Sequence, residues 1–93
     1  MAAKTFDDPH DPDAVEDYGL DWSARLGTDT IDASTWAITP SGLNQDSDDH
    51  DTTSTTIWVS GGTLNVTYSL TNHVTTAGGR QWDWTVKLKV KET

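Results

Sequence analysis

The strict alternation of apolar and polar residues in QWDWTVKLKVK, residues 81–91, constrains the fold more than any other feature. One face carries the apolar side chains of Trp82, Trp84, Val86, Leu88 and Val90. The other carries Gln81, Asp83, Thr85, Lys87, Lys89 and Lys91. Successive side chains of a β-strand point to opposite sides, so a period of two predicts a half-buried antiparallel strand.

Weaker patterns of the same kind predict four more strands. They cover residues 15–22, 29–39, 54–60 and 64–72, and the first places Tyr18, Leu20 and Trp22 on one face. Residues 23–27 fit a helical turn or a loop. Turn signals follow at Pro40-Ser41-Gly42, and the pairs Gly61-Gly62 and Gly78-Gly79 predict hairpins. Five short strands predict an all-β protein: a small immunoglobulin-like antiparallel β-sandwich, with a five-stranded barrel as the alternative.

The 93 residues suffice for one small domain. Residues 1–13 are acidic and contain Pro9 and Pro12, which is typical of an extended acidic N-terminal arm. Residues 14–93 then form the β-sandwich domain. Such an arm has no core of its own, so we expect residues 1–17 to order on a neighbouring subunit, with Tyr18 and Trp22 anchoring the base of the arm.

Charge is distributed unevenly along the chain. Residues 1–51 hold thirteen acidic and two basic residues, whereas residues 52–93 hold two acidic and four basic ones. The net charge of −9 argues against nucleic acid or an anionic membrane as a partner. The asymmetry favours contact between copies of the chain or with a basic partner, although acidic loops that only keep the protein soluble are the alternative.

The segment NQDSDDHD, residues 44–51, is interpreted as an inter-strand loop. It fails the calcium-loop template, because Asp49 and Thr55 stand where glycine and glutamate are needed. One histidine, His50, is too few for a transition-metal site. An acidic contact surface or a solvated loop is therefore expected here, with an irregular calcium site as a less favoured reading.

No set of residues suggests catalysis, since His10, His50 and His73 are scattered and the chain has no cysteine. We therefore expect a protein that is not an enzyme and holds no cofactor. Trp36 and Trp58 are expected in the core. Trp82 and Trp84 fit either the core or a sugar-stacking platform, which leaves a carbohydrate-binding module as an alternative function.

Four segments together carry a resemblance to a family: DPDAVEDYGLDWSARLG, DTIDASTW, TTIWVSGGT and YSLTNHVTTAGGRQWDWTVKLKV. They resemble small tailed-phage virion proteins of the fibre–tail adaptor, or tail structural, family. The resemblance implies a structural virion module, assembled in the host cytoplasm in several copies, that grips tail, connector or fibre subunits and copies of itself. A capsid decoration protein of the same fold is the alternative within this class.

The interface of such a module is predicted from charge, aromatic residues and the arm. Two departures from the family pattern, the pair Trp82 and Trp84 and the acidic segment 44–51, mark candidate partner surfaces. The predicted interface residues are Asp7, Asp8, Asp11, Asp13, Tyr18, Trp22, Trp82, Trp84, Lys87 and Lys89.

Overall fold

The computed structural model describes residues 10–91, which form six β-strands and one short helix. The strands are β1 (Val15–Asp21), β2 (Ile31–Thr39), β3 (Leu43–His50), β4 (Ser54–Gly61), β5 (Thr67–Thr76) and β6 (Gln81–Lys89), and the helix is α1 (Ser23–Leu26). Within residues 10–91 no helix is both long enough and apolar enough to cross a membrane.

Two antiparallel sheets of three strands pack face to face. The first sheet has the order β1-β4-β3 and the second has the order β2-β5-β6. The chain passes from one sheet to the other through α1, through the turn at 40–42 and through residues 62–66, while β3–β4 and β5–β6 are hairpins. The predicted immunoglobulin-like β-sandwich is confirmed, and two separate sheets in the described residues rule out the five-stranded barrel.

The core lies between the inward faces of the two sheets, as strand alternation requires. Its most deeply buried apolar side chains are Tyr18, Ile57, Val59, Tyr68, Leu70, Val74, Leu88 and Val90. Each such side chain stabilises the fold by roughly 1.5–3 kcal/mol relative to exposure. The predicted apolar face of residues 81–91 is thus confirmed at Leu88 and Val90, whereas Trp82 and Val86 are half-buried and Trp84 is 40% exposed.

The acidic segment is a strand, and its interpretation as a loop is wrong. Residues 43–50 form β3, which pairs with β4 from Leu43 to His50 and has a bulge at Asp46. β3 is an edge strand whose side chains from residue 44 to 49 are all exposed, so it shows no apolar period. Charged edge strands of this kind also resist pairing with other chains.

Gly61-Gly62 does not form the hairpin that the sequence predicts. The chain leaves the first sheet there and enters the second at Thr67, so the predicted strand over 64–72 begins three residues later. Leu64 is consequently 45% exposed. Gly62 has φ +99°, and a Cβ on it would lie 2.6 Å from Val90 Cγ2, so the crossing needs glycine for close approach. The hairpin at Gly78-Gly79 is confirmed.

The two tryptophans expected in the core differ. Trp36 on β2 is buried, as predicted. Trp58 is 37% exposed on the outer face of β4, so its placement in the core is wrong. Thr55, Ile57 and Val59 point inward, and the period of two sends Trp58 outward.

His10 belongs to the fold, although the sequence assigns residues 1–13 to an arm. Its N–H donates to the Lys89 carbonyl at 2.9 Å, and its carbonyl accepts from the Lys91 N–H at 2.9 Å. Its buried ring places Nδ1 3.0 Å from the Tyr18 hydroxyl. The domain therefore already includes His10, and of the expected arm, residues 1–9 lie outside the described part of the chain.

Candidate functional site

A groove opens where β1 and β6, the edge strands on one side of the sandwich, approach α1. It has a volume of about 490 Å³, and we call it the tryptophan groove. Its lining residues are Asp21, Trp22, Ala24, Arg25, Asp83 and Trp84. β1 and α1 form one wall of the groove, and β6 forms the other. The sandwich is open between these two edge strands, so side chains from the inward face of β6 reach the groove.

The floor of the groove is Trp22, which is only 3% exposed. Its Nε1 donates to Asn72 Oδ1 at 3.0 Å and approaches Thr55 Oγ1 at 3.3 Å. The Thr55 hydroxyl donates to the same Asn72 oxygen at 2.7 Å. The Asn72 amide donates in turn to Ser34 Oγ at 2.8 Å and to the Thr35 carbonyl at 3.0 Å. We call these five residues the Asn72 network.

The Asn72 network links the two sheets and orients the indole. Thr55 is on β4 of the first sheet and Trp22 directly follows β1 of the same sheet, whereas Asn72 is on β5 of the second sheet. Buried polar groups cost free energy unless they are hydrogen-bonded, so each bond restricts where the Trp22 ring can lie. The groove therefore has a floor that is fixed before any partner arrives.

The other two indoles contact Trp22 in different ways. Trp82 stacks on it with centroids 6.2 Å apart and an interplanar angle of 10°. Trp84 meets it edge to face at 5.2 Å and 89°, so the planes of Trp82 and Trp84 are close to perpendicular. The Arg25 guanidinium lies 5.2 Å from the centroid of a Trp82 ring, at cation–π distance. The pair Trp82 and Trp84 is therefore no flat platform on which a sugar ring could stack.

The rim of the groove carries charge of both signs. The Ser23 backbone N–H donates to Asp21 Oδ1 at 2.9 Å and lowers the pKa of that carboxyl. Across the groove, Asp83 Oδ1 lies 2.6 Å from His73 Nδ1, and Arg25 supplies a guanidinium. An apolar floor with a polar rim is the arrangement found at protein–protein contacts.

A second carboxylate cluster fixes the nearby β5–β6 turn. Asp29 accepts from the Gly78 N–H at 3.0 Å and from Arg80 Nη1 at 2.9 Å. Hydrogen bonds, chiefly from the Thr76 side chain and also from Thr30, Gly78 and Arg80, lower the pKa of Asp29 to about 2. We call this the Asp29 cluster, and it ties the segment before β2 to the β5–β6 hairpin.

The predicted interface residues fall in several places. Trp84 lines the groove and Trp82 stacks on its floor residue Trp22, whereas Lys87 and Lys89 are exposed on the opposite, outer face of β6. Trp22 is buried and forms the floor of the groove, whereas Tyr18 is buried beside His10, with its hydroxyl 3.0 Å from His10 Nδ1.

The remaining predicted interface residues are acidic. Asp11 and Asp13 lie in a turn beside His10, where the Asp13 N–H donates to Asp11 Oδ1 at 2.9 Å. That turn is about 25 Å along β6 from Trp82, at a rise of about 3.3 Å per residue. Asp7 and Asp8 lie outside the described residues.

Sequence reasoning missed Arg25, Asp21 and Asn72 as parts of the site. Asn72 could have been detected from the sequence, because it is a polar residue that continues the inward-facing positions 66, 68 and 70 of an otherwise apolar strand face. Arg25 and Asp21 left no such signal, since their place depends on how α1 packs. Among residues 10–91 no group of three or more His, Asp or Glu side chains is arranged to hold a metal ion.

Comparison with known proteins identifies the family. The family described as "Podophage GP4 fiber-tail adaptor protein gp77" matches residues 10–89. The chain belongs to this family. The predicted resemblance is thus confirmed, and the chain is a structural tail adaptor and a virion component that interacts with other tail or fibre proteins. The match favours neither a capsid decoration protein nor a carbohydrate-binding module.

Two further comparisons concern curated proteins and solved structures. No curated protein matches the chain. The solution structure of the PKD domain from KIAA 1837 protein matches with a TM-score of 0.55 and 21% identity, over 99% of this chain and 88% of that one. At this identity the likeness shows the fold alone, and it agrees with the immunoglobulin-like sandwich.

Proposed function

We propose that this tail adaptor grips its fibre or tail neighbour through the tryptophan groove and that it does so without enzymatic activity. The observation that carries the proposal is Trp84, a large aromatic side chain left 40% exposed beside a fixed and buried Trp22. Tryptophans in such settings dominate binding energy at protein interfaces. Preorganisation by the Asn72 network reduces the entropy lost on binding.

The charges of the rim define the complementary surface. Asp21 and Asp83 favour a lysine or arginine from the partner, and Arg25 favours a carboxylate or a backbone carbonyl. The partner therefore presents an apolar or aromatic side chain between groups of both signs. Another virion protein fits this description, whereas the polyanions DNA and RNA are repelled by a chain with net charge −9.

The remaining expectations complete the proposal. Assembly takes place in the host cytoplasm, and neither a membrane nor a nucleic acid is a partner. Residues 1–9, with Asp7 and Asp8, add a second contact to the neighbour as the acidic arm. Asp11 and Asp13 continue that contact from the turn beside His10.

The test is a phage that carries Trp84→Ala in this adaptor, with fibre content measured per purified particle. We expect tailed particles with at least a tenfold loss of fibres, because the truncation removes the exposed indole. Leu64→Ala is the matched control, since Leu64 is 45% exposed, apolar and remote from the groove. Normal fibre content in the Trp84 variant, with an unchanged fold by circular dichroism, would show that the groove is not the contact.

A further inference from the structure

The charged side chains on the outer face of the first sheet are all acidic. Strands β1, β3 and β4 contain no lysine or arginine. Strand alternation and register place Asp17 and Asp21 on this face from β1, and Asp49 from β3. Asp46, in the bulge of β3, joins them by accepting a hydrogen bond from Ser60 Oγ at 3.1 Å. We call this surface the acidic face.

Trp58 lies at the centre of the acidic face. It is on the middle strand, in register with Asp17 of β1 on one side and with Ser47 of β3 on the other. It is 37% exposed, and Val15, which is 62% exposed, lies on the same face diagonally across from it. An exposed indole ringed by polar groups has the anatomy of a binding hot spot.

The outer face of the second sheet carries the two lysines of β6. Lys87 and Lys89 project from one end of it, whereas Asp83, paired with His73 at 2.6 Å, and the exposed Asp32 in the bulge of β2 lie towards the other end. Small side chains from the three strands lie between them: Ala33, Thr35, Ala37, Thr71 and Thr85. We call this surface the lysine face.

We propose that the acidic face of one copy docks on the lysine face of the next, with Trp58 lying on the small threonine and alanine side chains. This inference rests on the proposed function, because it names one partner of the adaptor, a second copy of this chain. Opposite charges on opposite faces of one sandwich favour a head-to-tail contact, whereas two acidic faces would repel each other. A head-to-tail contact continues from copy to copy and forms a ring where the rotation closes.

The alternative occupant of the acidic face is the chain's own segment 1–9. Its side chains include Asp7 and Asp8 against the single Lys4, so charge does not favour it there. Lys87 and Lys89 on the lysine face carry the opposite sign, and every copy has them. Charge complementarity therefore selects the second copy.

Sedimentation of the purified full chain tests the proposal. We expect oligomers larger than dimers to grow with concentration up to about 1 mM, a weak affinity, and to dissociate as salt rises, because exposed charge pairs are screened. Trp58→Ala should weaken association at least tenfold. A chain that stays monomeric up to about 1 mM at low salt would overturn the proposal.

Two complementary variants test the head-to-tail geometry. Asp17→Lys with Asp49→Lys disables the acidic face, and Lys87→Ala with Lys89→Ala disables the lysine face. Each variant alone should be monomeric, whereas a mixture should form one-to-one dimers and nothing larger, because each has one intact face. Ser41→Lys, exposed in the turn between β2 and β3 and away from both faces, is the control and should associate like the unmodified chain.

Other outcomes overturn the proposal in identifiable ways. Persistent association of the lysine-face variant alone would mean a different contact surface. A mixture that stays monomeric would refute complementarity of the two faces. Association that appears only after removal of residues 1–9 would make that segment the occupant. Loss of fibres in the Trp84→Ala phage is independent of all these results, so failure of this inference is distinguishable from failure of the proposed function.

Discussion

The Asn72 network and the Asp29 cluster both join distant parts of the chain, but one is buried and the other reaches the surface. Asn72 and Thr55 have no exposed surface, and Trp22 has 3%. In the Asp29 cluster, the Arg80 side chain is 61% exposed although the Asp29 side chain is only 9% exposed. Water can replace a partner lost at the surface and cannot do so in the core. The two clusters should therefore differ greatly in what each residue contributes.

The largest effect is expected for Asn72→Ala. It leaves the Trp22 indole N–H and the hydroxyls of Ser34 and Thr55 without their Asn72 partner inside the sandwich. We expect the free energy of unfolding to fall by about 2–4 kcal/mol, since buried groups then lose hydrogen bonds that water cannot supply. Urea denaturation measures the change.

The control for Asn72→Ala is Thr85→Ala. Thr85 is exposed on the outer face of β6, where its hydroxyl pairs with that of Thr71 at 2.8 Å. Its loss should cost no more than about 0.5 kcal/mol, as is usual for surface positions. If the two variants were equally stable, the Asn72 network would be no more important than a surface pair.

An intermediate effect, dependent on pH, is expected for Asp29→Asn. Hydrogen bonds hold the pKa of Asp29 at about 2, below the ordinary value of 3.8. A carboxyl with a lowered pKa stabilises the fold fully above its ordinary value, and that contribution is lost as pH falls towards 2. The variant should therefore be less stable than the unmodified protein at neutral pH, and the two should converge as pH falls through about 2.

Thermal unfolding of both proteins from neutral to acidic pH checks the convergence. Asp21 and Asp51, whose pKa values are lowered by backbone N–H groups, are present in both and lose stability alike. The difference between the two proteins thus isolates Asp29. Unfolding temperatures that differ by the same amount at every pH would mean that the charge of Asp29 is not what holds the hairpin.

The local alternation of apolar and polar residues predicted those strands that have one apolar face and one polar face. The alternation in β6 and in β1 identified both strands and the inward direction of Tyr18, Leu20 and Leu88. It could not identify β3, because both faces of that edge strand are exposed and polar. Nor could it assign successive strands to sheets, which is why the crossing at Gly61-Gly62 looked like a hairpin.

The candidate site was predictable only in part for the same reason. Alternation places Trp82 and Trp84 on one face of one strand, so their proximity follows from sequence. Their contact with Trp22 depends on which edges of the two sheets adjoin, and that is not a local property. His10 was missed because its bonds to Lys89 and Lys91 involve backbone atoms, which any residue could supply.

The smallest effect is expected for Arg80→Ala. Of the groups that lower the pKa of Asp29, the Arg80 guanidinium contributes least. The Thr76 side chain and the N–H groups of Thr30 and Gly78 each lower it more. The guanidinium is also largely solvated, and exposed ion pairs contribute little to stability. The unfolding temperature should therefore change less than in Asp29→Asn.

Salt separates the two contributions within the Asp29 cluster. The small effect of Arg80→Ala should vanish in high salt, which screens an exposed ion pair. The effect of Asp29→Asn should persist, because short hydrogen bonds from Gly78 and Thr30 to the carboxylate are not screened in this way. If Arg80→Ala were as destabilising as Asp29→Asn, the ion pair and not the N–H groups would hold the hairpin. The Asn72 network and the Asp29 cluster would then differ only in how deeply they are buried.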